Sequence, residues 1–375
     1  MSVFTSRPAL RWAVPAGVLA VAIAAGSAGK VLTADAAPSL PPRTAAQLLV
    51  DLQTAKVDGL SGTVVQRADL GLPSLPGSVG GDSGSSSFNS LVTGSHTLKV
   101  WYSGEDKQRL ALLGTLGESD VIHNGRDVWT WSSDGNTATH RVLTERSGAK
   151  TPRPTPSGLP TPLPSTPEQA ADAALAAIDP TTKVTTDGTA SVAGRSAYEL
   201  VLSPRDTASL VGQVRVAIDA TEHVPLRVRV YAKGASTPAA EVGFTQVSFT
   251  KPADEQFQFT PPPGTKVTEA KPDDNTMPKD QTPGTMPKDP TAGTRPTVVG
   301  KGWTAILVAN DVKLPSGSEG NGQFGAILNA LPRVSGSWGS GRLLTSSLFS
   351  VLITDDGRAL VGAVTPQKLY AAAAR

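Results

Sequence analysis

The stretch HTLKVWYSGEDKQRLALLGTLGESDVIHNGRDVWTWSSDGNTATHRVLTE, residues 96–145, decides the fold class. It divides into short runs rich in Val, Leu, Trp and Thr, which glycine-containing turns separate. Asn124-Gly125 and Asp134-Gly135 are hairpin signals, because both dipeptides reach positive φ easily. Strands this closely spaced predict a meandering antiparallel sheet rather than strand–helix–strand units. The predicted strands are 96–104, 108–117, 119–125, 126–135 and 138–145.

The chain on either side of this stretch extends the same pattern. RTAAQLLVDLQTAKVD at 43–58 has apolar residues at three- and four-residue steps, which predicts an amphipathic helix that ends before Gly59. A strand at 60–70 follows this helix, and a Gly/Ser/Pro-rich loop covers 71–90. More strands are predicted at 182–204, 213–232 and 240–250. The chain is therefore α+β in class and mainly antiparallel β.

Two proline-rich stretches interrupt this pattern. Residues 147–167 cannot hold sheet pairing and are expected to form an exposed loop, with a second helix capped by Thr166 directly after it. Residues 265–297 carry the duplicated pentapeptide TMPKD and read as a flexible tether. Strands and helices resume in 298–375, which predicts a small C-terminal α+β module.

The N-terminus has the features of an export signal. Arg7 and Arg11 precede an uncharged stretch at 12–29, and Ala34-Asp35-Ala36 fits a cleavage site that leaves Ala37 as the first mature residue. An uncleaved single-pass anchor is the alternative, since eighteen uncharged residues are at the lower limit for spanning a bilayer. Both readings place the rest of the chain outside the cytoplasm. The predicted domains are then 1–36 signal, 37–264 main domain, 265–297 tether and 298–375 module.

Composition excludes several classes of function. Thirty-four Lys and Arg against 32 Asp and Glu give a net charge of +2, which offers no electrostatic case for nucleic acid. The chain has no cysteine and four histidines without the spacing of a helical metal pair, so no metal or other cofactor is expected. GDSG at 81–84 resembles a protease motif, but every histidine follows Ser83 and the motif lies in a low-complexity loop. The chain is predicted to be no enzyme.

Alternating apolar residues give the more informative signal. Trp129 and Trp131 share one side of their strand, and Val228 and Val230 oppose the arginines of theirs. Each strand therefore has one apolar face. That face either packs on the protein's own helices as a solid core, or curves around an apolar cavity that the helices only partly fill.

Residues 43–267 resemble the LolA-like superfamily, which includes lipoprotein carriers of the LolA type and sigma-E regulatory proteins of the RseB/MucB type. The resemblance rests on the helix and first strand TAAQLLVDLQTAKVDGLSGTVVQ, on the strands from HTLKVWYSG to WTWSSDG, and on VPLRVRVYA and VGFTQVSFTKPADEQFQFTPPPGTKV. It covers about 60% of the chain. Residues 298–375, ending in VTPQKLYAAAA, resemble the C-terminal module of the RseB-like proteins more weakly.

The resemblance implies an incomplete antiparallel β-barrel whose helical lid covers an apolar concave face, and it implies binding without chemistry. The implied ligands are lipid or lipoprotein acyl chains in an extracytoplasmic compartment. The alternative is a regulatory protein that binds a membrane-embedded anti-sigma factor or another envelope partner, which requires an exposed apolar patch on residues 298–375. The candidate cavity residues are Leu98, Val100, Tyr102, Leu110, Leu112, Trp129, Trp131, Tyr198, Leu200, Leu202, Val228, Val230 and Phe244.

Overall fold

The computed structural model describes residues 40–72, 85–92, 94–143, 181–270, 296–310, 312 and 328–375. The predicted export signal, the GDSG motif, the proline-rich loop with its following helix, and tether residues 271–295 lie outside the described residues. No helix among the described residues is long and apolar enough to span a membrane.

Twelve strands form one large sheet, and six form a second, smaller sheet. The large sheet contains β1 Leu60–Ala68, β2 Gly94–Tyr102, β3 Lys107–Leu113, β4 Glu118–Asn124, β5 Asp127–Ser132, β6 Thr137–Val142, β7 Thr182–Val192, β8 Arg195–Pro204, β9 Val211–Asp219, β10 Pro225–Ala232, β11 Pro238–Ser248 and β12 Lys266–Ala270. The small sheet contains β13 Thr297–Val299, β14 Ile306–Ala309, β15 Arg333–Gly336, β16 Gly339–Thr345, β17 Ser350–Thr354 and β18 Ala359–Gly362. Among the described residues, the complete α-helices are α1 Ala45–Thr54 and α2 Pro366–Ala373, and residues 328–330 are also helical. 3-10 helices occur at Phe88–Val92, Asp254–Phe257 and Gly302–Thr304.

The large sheet is antiparallel except at one edge and is not closed. Its order is β12-β6-β5-β4-β3-β2-β1-β11-β10-β9-β8-β7, and β12 pairs with β6 in parallel. Strands β7 and β11 contact each other although three strands lie between them. A flat sheet would separate these two strands by roughly 19 Å, at about 4.8 Å per strand. The β7–β11 half is therefore strongly curled, as in an incomplete barrel.

The first helix begins as its sequence predicts but ends earlier. Thr44 and Gln47 form a capping box, in which the Gln47 amide donates to Thr44 Oγ1 at 3.2 Å and the Thr44 amide donates to Gln47 Oε1 at 2.9 Å. The helix ends at Thr54, so the expectation that it continues to residue 58 and closes at Gly59 is wrong. Gly59 instead allows the backbone at Lys251 to pass close by, because a Cβ at position 59 would lie 2.6 Å from the Cα of Lys251.

The predicted hairpins of the meander are present, with strand ends that differ from the predicted ones by a few residues. Gly125 has φ +63° in the β4–β5 turn and Gly135 has φ +74° in the β5–β6 turn, as the two glycine dipeptides predict. The chain departs from expectation after β11. Residues 254–257 turn into a 3-10 helix, and β12 falls within the stretch whose composition predicts a tether. Hydrogen bonds to Asn136 hold the start of β12, since the Lys266 amide donates to the Asn136 carbonyl at 2.9 Å.

The small sheet has the order β13-β14-β18-β17-β16-β15, and α2 packs on it. The 3-10 helix Gly302–Thr304 precedes β14, and β16, β17 and β18 pair in succession as antiparallel neighbours. This sheet contacts the large one directly. The indole nitrogen of Trp303 donates to Thr182 Oγ1 at 2.7 Å, and the Leu210 amide donates to the Ala363 carbonyl at 2.8 Å.

Candidate functional site

One face of the large sheet carries most of the candidate cavity residues, and we call it the apolar face. Directly paired residues on neighbouring strands point to the same side of a sheet. Val64 on β1 pairs with Leu98 on β2 and with Phe244 on β11, so these three side chains share a side. On the other half of the sheet, Val228 pairs with Val216, which pairs with Leu200. The register places the following candidates on this face: Leu98, Val100, Tyr102, Leu110, Leu112, Tyr198, Leu200, Leu202, Val228, Val230 and Phe244.

The apolar face is buried along both halves of the sheet. Nine of these eleven side chains are at most 7% exposed, while Tyr102 and Leu110 are half-buried. Leu48 of α1 is 0% exposed and packs among the residues of β8–β10. Leu91, from the 3-10 helix Phe88–Val92, packs with the residues of β1, β2 and β3. Within the described residues, short helical elements together with Leu348 and Ala363 of the small-sheet module therefore cover the predicted ligand face.

Trp129 and Trp131 lie on the opposite face, which corrects the expectation that they line the same surface. Leu112 pairs with Ser119, and Ser119 pairs with Ser132. Ser132 therefore shares the apolar side with Leu112, and its neighbour Trp131 points away. The lengths of the β3–β4 and β4–β5 turns determine the side on which Trp131 lies, because each turn fixes which residues of the two strands pair.

The rings of both tryptophans are covered by the chain itself and are half-buried. Phe259 lies over them, with ring centroids 5.3 Å from Trp129 and 6.2 Å from Trp131. The His140 ring stacks on Trp129 at 4.2 Å. Both indoles thus pack against the protein segment that carries Phe259, on the side of the sheet away from the apolar face.

That segment, residues 254–265, crosses the opposite face between β11 and β12, and we call it the crossing segment. Lys107 Nζ forms an ion pair with Asp254 at 2.7 Å near its start. Thr265 Oγ1 donates to Asn136 Oδ1 at 2.7 Å at its end. Phe257 between them is 1% exposed. The crossing segment is therefore anchored at both ends and through apolar contacts.

Asp120 is a buried carboxylate beside the crossing segment. Arg109 Nη2 donates to Asp120 Oδ2 at 2.5 Å, and Arg109 Nη1 approaches the Gln256 carbonyl at 3.5 Å. Burial raises the pKa of Asp120 to about 6, with Glu118 adding to the rise and the charge of Arg109 opposing it. Among the described residues, Asp120 Oδ1 and Trp131 Nε1 have no hydrogen-bond partner. Arg109 therefore pairs with Asp120, and a second carboxylate, Glu118, lies close enough to Arg109 for an ion pair at 3.7 Å.

A second charged cluster lies on the same opposite face, over β8–β10. Glu199 is 5% exposed and accepts hydrogen bonds from Arg215 Nη1 at 3.1 Å, from Arg227 Nη2 at 3.2 Å and from Arg229 Nη2. The alternation of β10 in the sequence places Arg227 and Arg229 on one face, but it does not reveal Glu199. Finding Glu199 requires the pairing of β8, β9 and β10. The described residues contain no group of three or more His, Asp and Glu able to hold a metal ion.

A scan of the sequence against protein families found no match, and a search of curated proteins found none either. Solved structures do resemble this one. MucB of Pseudomonas aeruginosa, in its complex with MucA, is 17% identical, with 88% of this chain and 96% of that chain covered and a TM-score of 0.45. A LolA-superfamily protein from Nitrosomonas europaea is 12% identical, with 58% of this chain and 99% of that chain covered and a TM-score of 0.22.

A putative outer-membrane lipoprotein-sorting protein domain from Vibrio parahaemolyticus is also 12% identical, with 57% of this chain and 94% of that chain covered and a TM-score of 0.23. At these identities and TM-scores the likeness assigns no ligand and no partner to this chain.

Proposed function

We propose that this chain is an extracytoplasmic, non-enzymatic binding protein that carries or senses the acyl chains of lipids or lipoproteins on its apolar face. One observation carries the proposal: a curled, unclosed sheet presents one apolar face, which short helical elements and a few side chains of the small-sheet module cover. An apolar concave surface with a displaceable cover is the kind of site that takes an acyl chain. The export signal predicted at residues 1–36 supports the extracytoplasmic location.

The energy of exchanging α1 for an acyl chain supports this reading. A chain of about ten methylenes gains roughly 8 kcal/mol on burial, at about 0.8 kcal/mol per methylene. Helix α1 contributes Leu48, Leu49 and Leu52 to the cluster on β8–β10. Exposing three leucines costs at most about 5–9 kcal/mol, at roughly 1.5–3 kcal/mol each. The two quantities are comparable, so an acyl chain of ordinary length is able to replace the helix.

The alternative, a regulatory protein that binds a membrane-embedded partner, has less support. It requires an exposed apolar patch on residues 298–375. Among the described residues of this module, Val298 is the only large apolar side chain that is mostly exposed, at 50%. One exposed valine at the β13 edge does not make a patch that would dock a partner.

The test is titration of the exported protein with a fluorescent single-chain fatty acid, together with mass spectrometry of lipids that co-purify with it. We expect saturable binding, and we expect the affinity to fall about tenfold in Leu110→Gln. The half-buried Leu110 side chain belongs to the apolar face, and a polar amide that a bound acyl chain covers without a hydrogen-bond partner costs more than about 1 kcal/mol of binding free energy. Leu116→Gln is the matched control, because Leu116 is 99% exposed. Absence of both saturable binding and co-purified lipid would refute the proposal and leave a solid core.

A further inference from the structure

The arginine cluster on the opposite face has more positive charge and more hydrogen-bond donors than Glu199 uses. Glu199 pairs in register with Ala217, which pairs with Arg227, so a small side chain separates the carboxylate from the arginine in that row. Arg215 and Arg229 pair with each other in the adjacent row. All three guanidinium groups therefore converge above Ala217 on a single carboxylate.

The charges of this cluster do not cancel. Three guanidinium groups face Glu199 and one further carboxylate, Asp187, which pairs with Arg215 at 2.7 Å and is 56% exposed. In the register, Glu241 of β11 lies beside Arg229 and beside Arg67 of β1. Four arginines and three carboxylates therefore share this part of the face, and one positive charge is in excess. Tyr231 flanks the cluster, with its ring 5.8 Å from the Arg215 guanidinium carbon and 6.0 Å from that of Arg229. An aromatic side limits the directions from which an anion reaches the guanidinium groups.

The three arginines also have more hydrogen-bond donors than their described contacts use. Each guanidinium has five N–H groups, and the contacts described above use one or two of them per arginine. The Nε atoms of Arg215, Arg227 and Arg229 are buried and have no hydrogen-bond partner among the described residues. Three buried donors in one cluster that find no acceptor among the described residues favour an acceptor from outside them. The side chains themselves are 21–25% exposed, so their outer N–H groups are open to a solute.

We propose that Arg215, Arg227 and Arg229 form a binding site for a phosphate-type oxyanion, either inorganic phosphate or the phosphate of a lipid headgroup. Planar guanidinium groups match the oxygens of phosphate in paired hydrogen bonds, which favours this chemistry over a halide. The arginine site lies on the side of the sheet away from the apolar face. An acyl chain bound to the apolar face therefore does not occupy the arginine site. The inference is therefore independent of the proposed acyl-chain function.

Isothermal titration of the full chain with inorganic phosphate tests the site. Substitution of an arginine and substitution of Glu199 should change the phosphate affinity in opposite directions. Arg227→Gln removes a donor and a positive charge and should weaken binding about tenfold. Glu199→Gln removes the competing carboxylate and should tighten binding by about the same factor. Arg333→Gln is the control, since Arg333 lies on the small sheet and its side chain is 66% exposed. Arg227→Lys, which retains the charge, should lie between Arg227→Gln and the wild type.

Vesicles identify the source of the phosphate. Binding to vesicles of phosphatidylglycerol, in competition with inorganic phosphate, indicates a lipid headgroup; binding of inorganic phosphate alone indicates the free ion. Thermal melting in phosphate-free buffer shows that each variant is folded. The proposal is overturned if the wild type does not bind phosphate saturably, if Glu199→Gln weakens binding in a folded protein, or if Arg333→Gln causes the same loss as Arg227→Gln.

Discussion

Acidification from pH 7 to pH 4 should stabilise the fold through Asp120. Its pKa is about 6 in the folded protein and 3.8 ordinarily, because burial disfavours the charged form. The folded state therefore binds a proton more tightly than the unfolded chain does. The contribution of this group to stability is greatest below its ordinary pKa and declines as the pH rises through the window between the two values.

The size of the effect follows from the difference between those two pKa values. At 1.36 kcal/mol for each unit of pKa, a rise from 3.8 to about 6 corresponds to about 3 kcal/mol in the free energy of unfolding. Asp219 acts with the opposite sign, because hydrogen bonds from Arg195 and from backbone amides outweigh its burial and lower its pKa. Its contribution is lost only as the pH falls below the ordinary value. Most of its effect therefore lies below the window from pH 4 to pH 7, and comparison with an Asp120 variant removes the rest.

Urea unfolding, followed by tryptophan fluorescence at pH 4, 5, 6 and 7, measures the effect. The comparison is between the wild type and Asp120→Asn. Over this range the free energy of unfolding of the variant should change by about 2 kcal/mol less, because an unfolded Asp is already partly ionised at pH 4. Asp134→Asn is the control, because Asp134 is an exposed carboxylate in the β5–β6 turn. If Asp120→Asn has the same pH dependence as the wild type, the buried carboxylate is not the cause and the reasoning fails.

Other predictions concern the tryptophans and the chain that links the two sheets. A brominated fatty acid should quench the fluorescence of Trp303, because Trp303 belongs to the apolar cluster with α1. The quenching should persist when Trp129 and Trp131 are both replaced by Phe. Loss of quenching in that double variant would place the ligand on the opposite face of the sheet. Phe259→Ala should lower the free energy of unfolding by about 1–2 kcal/mol and shift tryptophan emission to the red, since half-buried ring contacts are lost; unchanged emission would contradict this. Limited proteolysis should cut first within 271–295, where few residues are able to bury apolar area, and N-terminal sequencing of the fragments locates the cut.

The sequence by itself determined the local elements. The capping box at Thr44, the glycine turns at Gly125 and Gly135, and the alternation within each strand are all interactions between residues close in the chain. These interactions fix where strands and helices begin and which side chains within a strand share a side. They were sufficient to predict an antiparallel meander with one apolar face per strand.

Only the tertiary structure decided how those faces combine. Strand β1 pairs with β11, far away in the chain, and β12 pairs with β6 in parallel at the sheet edge, within a stretch whose composition predicts a tether. The same pairing turned Trp131 away from the apolar face and brought Glu199 under three arginines. Alternation has a period of two and fixes sides only within a strand. Which sides meet depends on register, and register between distant strands depends on the packing of the whole sheet.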